Sequence, residues 1–299
     1  MAAHRRGAGP KGPGGRDSAT YPSRVRLVGT DIDGTILPRT GVFSARTIAA
    51  LGSLAGAGIP LVLATARPPR WVDVVAAQLG IAGEAVCANG AVFYDLATRS
   101  VVDHIGLPEE ALLEVADALR SALPGVILGL ETTTGLAIEE GFPARESNTN
   151  PREVAPFERM ASVRDLTGVK MLALLPGSHP DEMLDIAMPL VGHLLELSHS
   201  SVTDPLLELA PLGISKATGL ARLAAHHGVG AGDVIVFGDA PNDVPMFEWA
   251  GTGYAVGNAH DAVKAVATHT TESVDDDGVA IVIERLVAEV LAARGVMPK

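Results

Sequence analysis

Cysteine occurs once in the 299 residues, at Cys87, so no internal disulfide can form and no thiolate zinc site can be assembled. Cys87 sits in an apolar run and reads as a core thiol. Aromatic residues make up only 4% of the chain. The two tryptophans, Trp71 and Trp249, read as packing residues, not as platforms for stacked bases. Positive charge is also scarce: 23 Lys and Arg stand against 35 Asp and Glu, a net charge of −12. A nucleic-acid partner needs a basic surface, so that class is excluded. A small anionic substrate is not, because one cation and a few local donors can reverse the field inside a cleft. No His-Glu-x-x-His and no Cys/His cluster occurs. His226 and His227 fall at the end of a helix, where the dipole welcomes a cation.

Long apolar runs are lacking too. Residues 47–66 carry no charge over a length that could span a bilayer. Their centre, however, reads Gly56-Ala57-Gly58-Ile59-Pro60, which fits a helix, a tight turn and a buried strand better. Residues 1–24 hold five Lys/Arg against one Asp and are rich in Gly and Pro. They read as a disordered basic tail without the apolar stretch of a signal peptide. No membrane partner is expected, and the composition suits the cytoplasm.

What the chain does contain is an apolar fraction of 47% and enough length for one large domain or two ordinary ones. From residue 25 short apolar strands alternate with helices, the pattern of an α/β fold with a doubly wound parallel sheet. Strands are expected near 25–28, 61–64 and 85–87, helices at 44–57 and from Pro69. A hairpin is expected to begin at Ala91. Residues 107–200 break the pattern with an irregular mixture of helices and strands, which reads as an inserted α+β domain. The core is expected over 25–106 and 201–299, with alternation resuming at Leu206. Helices there are expected at 215–227, 244–249 and 279–293.

Four segments fall where strands end or helices begin. Asp31-Ile32-Asp33-Gly34-Thr35 closes the first strand. Two carboxylates at a strand end can divide labour, one attacking and one handling protons. An acidic turn bent by Gly34, or a metal-binding pair of the sugar-nucleotide transferase kind, fits as well. Ala64-Thr65-Ala66-Arg67 closes another strand. Thr65 can donate to a phosphate oxygen or merely cap the next helix. In Gly213-Ile214-Ser215-Lys216 a lysine enters the first turn of a helix, against the dipole. A phosphate and carboxylates facing Lys216 explain that placement, and its removal is expected to cost little stability. Gly238-Asp239-Ala240-Pro241-Asn242-Asp243 follows an apolar strand and offers oxygen ligands of the kind Mg²⁺ prefers.

Taken in order, these segments resemble the four motifs of the haloacid dehalogenase superfamily of phosphatases. The insertion resembles the C2 (type IIB) cap of its Cof-type, sugar-phosphatase-like branch. Ala88-Asn89-Gly90-Ala91 and Asp277-Gly278-Val279-Ala280 are similar to two further turns of that branch. The resemblance covers residues 26–293. It implies Asp31 as nucleophile, Asp33 as general acid and base, and Lys216 as a catalytic cation. Thr65, Ala66, Asn89, Lys216 and Asn242 are implied around the substrate. Asp31, the Asp33 carbonyl, Asp239 and Asp243 are implied around Mg²⁺. Two departures stand out: Ala66 replaces the usual glycine of Thr-Gly-Arg, and Ala88 replaces the commoner Glu.

The expected activity is therefore hydrolysis of phosphate monoesters of small metabolites, sugar phosphates or related compounds, through an aspartyl-phosphate. A phosphomutase or phosphotransferase on the same fold is the alternative, as is a non-catalytic sensor of phosphorylated metabolites. The Asp239–Asp243 segment lacks the Gly-Gly-Asn-Asp ending of the mannose-type mutases. Retaining so many buried like charges without a metal or a catalytic purpose would be costly, which argues against a sensor.

Overall fold

The computed structural model describes residues 25–143, 152–161, 167–201 and 204–295, so the tail expected over 1–24 lies outside the described residues. The first half of the core runs β1 (Leu27–Thr30), α1 (Ala45–Gly56), β2 (Leu61–Ala64), α2 (Pro69–Leu79) and β3 (Glu84–Cys87). Each strand is a four-residue run, almost wholly buried, as parallel strands covered on both faces should be. Ser44 opens α1 by accepting from the Thr47 N–H, and Pro69 opens α2, where its missing N–H costs nothing. The uncharged stretch 47–66 is thus divided between α1, a turn and β2. The antiparallel strands β4 (Val92–Asp95) and β5 (Ser100–His104) then finish this edge of the sheet.

The chain next builds a second sheet. Its elements are α3 (Glu109–Ala122), β6 (Ile127–Thr132), β7 (Leu136–Ile138), β8 (Arg152–Val154) and α4 (Phe157–Ala161). They continue with β9 (Gly168–Leu174), α5 (Pro180–Val191), β10 (Leu195–Ser198) and β11 (Leu206–Pro211). The strand order is β10-β11-β9-β6-β7-β8. Alternation along β9 separates two apolar layers. Met171 and Ala173 join the core with α3, α4 and α5, while Leu172 and Leu174 join Leu136, Ile138 and Phe142 on the other face. Residues 206–211, assigned from sequence to the returning core, pair instead with β9 and β10 in this sheet. A short apolar strand looks the same in either sheet, and only its partners decide.

The core resumes with α6 (Lys216–His226), β12 (Val234–Gly238), α7 (Val244–Trp249), β13 (Thr252–Ala255), α8 (Asp261–Val266), β14 (His269–Thr270) and α9 (Gly278–Ala293). The eight-stranded order is β14-β13-β12-β1-β2-β3-β4-β5, parallel from β14 to β3. From β1 the chain steps outward through β2 and β3, and from β12 it steps the opposite way. Right-handed crossovers then put the two sets of helices on opposite faces, and the reversal leaves a crevice beyond the C-terminal ends of β1 and β12. Among the described residues no helix is long and apolar enough to cross a membrane.

One glycine fixes how closely α6 approaches. Gly90 has φ +110°, and a Cβ there would lie 2.1 Å from the Ser215 carbonyl oxygen, just before Lys216. Gly90→Ala should therefore cost about 1–3 kcal/mol from backbone strain, with the overlap in addition. Chemical denaturation should register that loss; a variant as stable as the parent would mean that the turn relaxes freely.

Candidate active site

The crevice holds the acids of the first and fourth segments. Asp31 follows β1, and its N–H donates to the Phe237 carbonyl of β12 at 3.0 Å, tying the two strand ends together. Gly34 turns the chain back with φ +80°; a Cβ there would meet Asp239 Oδ2 at 2.2 Å, so no larger residue fits beside that carboxylate. The Thr35 hydroxyl donates to Asp239 Oδ1 at 3.2 Å. Asp239 and Asp243 enter from the loop after β12. Asp31, Asp239 and Asp243 can each bring a carboxylate oxygen within 4.8 Å of the others.

Lys216 answers this negative charge. Its side chain is only 1% exposed, and Nζ donates to Asp31 Oδ1 and to Asp243 Oδ1, both at 2.7 Å. Burial pulls its pKa down, but Asp243 and Asp31 more than offset this and hold it above the ordinary lysine value. The other Asp243 oxygen accepts from the N–H groups of Asp239 and Ala240, at 3.0 and 3.1 Å. Asp31 is pushed up to about 7, first by burial and then by Asp243 and Asp33 against the pull of Lys216. Asp239 is pushed up to about 8 by burial, Asp31 and Asp243. One cation does not compensate three carboxylates. The expectation that losing Lys216 would cost little stability is reversed: its removal would strand buried acids without a partner, at about 3–5 kcal/mol.

Asp33 stands apart from this cluster. Its side chain is 52% exposed and is held by Arg67, with Nη2 and Nε donating to the two carboxylate oxygens at 2.6 and 2.7 Å. The Thr65 hydroxyl accepts from the Arg67 N–H at 3.1 Å, so it caps this turn. The Ala66 carbonyl accepts from Lys170 Nζ at 2.7 Å. Asn89 and Asn242 meet at the base of the crevice: Asn242 Nδ2 donates to Asn89 Oδ1 at 3.0 Å, and Asn89 Nδ2 donates to Glu208 Oε2 at 2.9 Å.

Thr35, Arg67, Lys170 and Glu208 had received no role from sequence, and Arg70 with Glu131 makes an ion pair between the lobes. A signal was present. Lys170, Glu208 and Glu131 interrupt apolar strands, where a charged residue is expensive unless paired.

A sequence profile of the haloacid dehalogenase-like hydrolases matches residues 28–283. The chain belongs to that family. This hydrolase is 27% identical over 288 residues to the 5-amino-6-(5-phospho-D-ribitylamino)uracil phosphatase YwtE of Bacillus subtilis, across 88% of this chain and 99% of that protein. It is 29% identical over 263 residues to the pyridoxal phosphate phosphatase YbhA of Escherichia coli, across 84% and 96%. Among solved structures, the subclass IIB sugar phosphatase BT4131 superposes with a TM-score of 0.72 at 21% identity, covering 87% of this chain and 98% of that one. The hydrolase is thus an enzyme of the phosphatase class, with the mixed α/β fold of that superfamily.

The raised carboxyls give the hydrolase a pH signature. Both titrate higher folded than unfolded, so without metal their stabilising contribution is full below about pH 4 and is lost as pH rises through about 7 and 8. In EDTA the melting temperature should fall between about pH 5 and about pH 8. Asp239→Asn should flatten the fall and melt above the parent at the alkaline end. A parent profile that rises over this range would contradict the assigned crowding.

Proposed function

We propose that this hydrolase is a Mg²⁺-dependent phosphatase of small phosphorylated metabolites, sugar phosphates or related esters, acting through an aspartyl-phosphate on Asp31. The observation that carries the reading is the charge imbalance in the crevice. Three carboxylates share one lysine, so when all are ionised two negative charges await a divalent cation. The donor set fits one, being all oxygen and closely grouped. Asp31, Asp239 and the Asp33 carbonyl would hold it. Asp243, already accepting from Lys216 and two backbone N–H groups, would support it. Bound there, Mg²⁺ would supply charge neutralisation for the phosphoryl oxygens.

The protein's own groups do the rest. Lys216 orients the Asp31 carboxylate and, with Thr65, holds phosphate oxygens. Asp31 attacks phosphorus, and the bond to the ester oxygen breaks as Asp33 delivers a proton to the departing alkoxide. Asp33 then takes a proton from water as that water attacks phosphorus, releasing phosphate and restoring the Asp31 carboxylate. In its present position Asp33 is held by Arg67, so this pair has to loosen once per turnover. The six-stranded lobe, whose Lys170 and Glu131 reach Ala66 and Arg70 of the core, would act as a cap that selects the leaving group. Relatives named for two chemically different phosphate esters support a small-metabolite substrate. The lone buried thiol suits a cytoplasmic enzyme.

Hydrolysis of an aryl phosphate should vanish in EDTA and return with Mg²⁺. Lys216→Ala should lose roughly 10²–10³ in rate, the scale of one preorganised electrostatic stabiliser. Asp31→Asn should show no turnover. Borohydride reduction of quenched enzyme should convert Asp31 to homoserine; repeated trapping elsewhere, or nowhere, would sink the covalent mechanism.

A further inference from the structure

A chain of buried hydrogen bonds leads from the cap to the loop of Asp239 and Asp243. Lys170, on β9, donates to the Ala66 carbonyl and to Glu208 Oε1, the latter at 2.8 Å. Glu208, on β11, accepts from Asn89 through its second oxygen, and Asn89 in turn accepts from Asn242. Lys170, Glu208, Asn89 and Asn242 are all buried. Burial alone would raise the Glu208 carboxyl, but Lys170 and Asn89 outweigh it and hold it below the usual range.

The direction of every bond in this chain is set at one end. An ionised carboxylate can only accept. Asn89 therefore has to turn its NH₂ toward Glu208, which leaves its carbonyl toward Asn242. Asn242 has to answer with its own NH₂. Its Oδ1 is then left buried with no donor among the described residues, an arrangement costing about 1–3 kcal/mol unless a ligand or water supplies the proton. The sense of both amides thus follows from the donors and acceptors they meet.

We propose that Glu208 is a positioning residue for the catalytic loop: by accepting from Asn89 it fixes the amide sense of Asn242, which neighbours Asp243, so that Oδ1 faces away from the relay as an acceptor. The proposal rests on the phosphatase reading of this site. It adds that the relay is anchored in β11, the strand that leads within five residues to Lys216.

The test exchanges the carboxylate and the amide. In Glu208→Gln the new amide can accept from Lys170 and donate to Asn89, which reverses the relay. In Asn89→Asp two carboxylates face each other. In the double variant the amide introduced at position 208 donates to the carboxylate introduced at position 89. That carboxylate still accepts from Asn242, and the net charge is unchanged. With the full chain, Mg²⁺ and para-nitrophenyl phosphate, each single variant should lose about 10–100-fold in kcat, the scale for partners that orient a site from behind. KM should stay within about threefold, and the double variant should recover to within about fivefold of the parent. Single variants with parental kcat, or a double variant no better than the weaker single, would overturn the proposal. Should either single variant fail to fold, the double variant's turnover decides. Parent enzyme that hydrolyses no phosphate ester would instead reject the phosphatase reading, a result separate from either of these.

Discussion

Two bonds of 2.7 Å from one ammonium group hold the crevice together. Lys216 joins the acid at the end of β1 to the acid after β12, across the reversal of strand order. Both carboxylates are buried, and each meets the same ammonium group. The arrangement is a poor device for stability, since desolvating three such groups costs more than their attraction reliably returns. It persists where a charge-dense site is needed. The short strands, the glycines that let backbone and carboxylates crowd together, and the helix start at Ser215 all serve to bring that ammonium to its place.

A buried cation at the first turn of a helix is doubly disfavoured, by the dipole and by desolvation. The Ser215 cap and the acids opposite reverse both penalties. The same logic recurs at Arg70, at the start of α2, which is matched by Glu131 from the cap sheet. Helices α2 and α6 thus each carry a base in the first turn and meet an acid across the crevice. Charge at this junction is arranged in facing pairs, while the three clustered acids have one ammonium group among them.

Much of this was legible before the fold was known. The ordered segments around Asp31, Thr65, Lys216 and Asp239 indicate a site because each closes a strand or opens a helix. The inserted α+β unit is equally visible as a break in the alternation. Two features were not legible. Leu206–Pro211 is an apolar run that either sheet could accept, and its membership depends on pairing with β9 and β10. The Asp33 side chain was expected to handle protons beside Asp31, yet Arg67 holds it to one side, and no spacing along the chain encodes which of two carboxylates an arginine will choose. Lys170 and Glu208 were overlooked for a simpler reason: each is a single charged residue inside a strand, and the apolar neighbours dominated the reading.

The position of β11 bears on how this enzyme could be rebuilt. A chimera that exchanged residues 107–200 for another lobe would cut between β10 and β11, which are neighbouring strands of one sheet. It would leave the recipient's Glu208 facing a foreign strand in place of Lys170. Splice points at the crossings near residue 106 and just after Pro211 keep the sheet whole and move both partners together. The unit that can be inherited or transplanted is therefore longer than the break in alternation suggests, and it ends almost at Lys216.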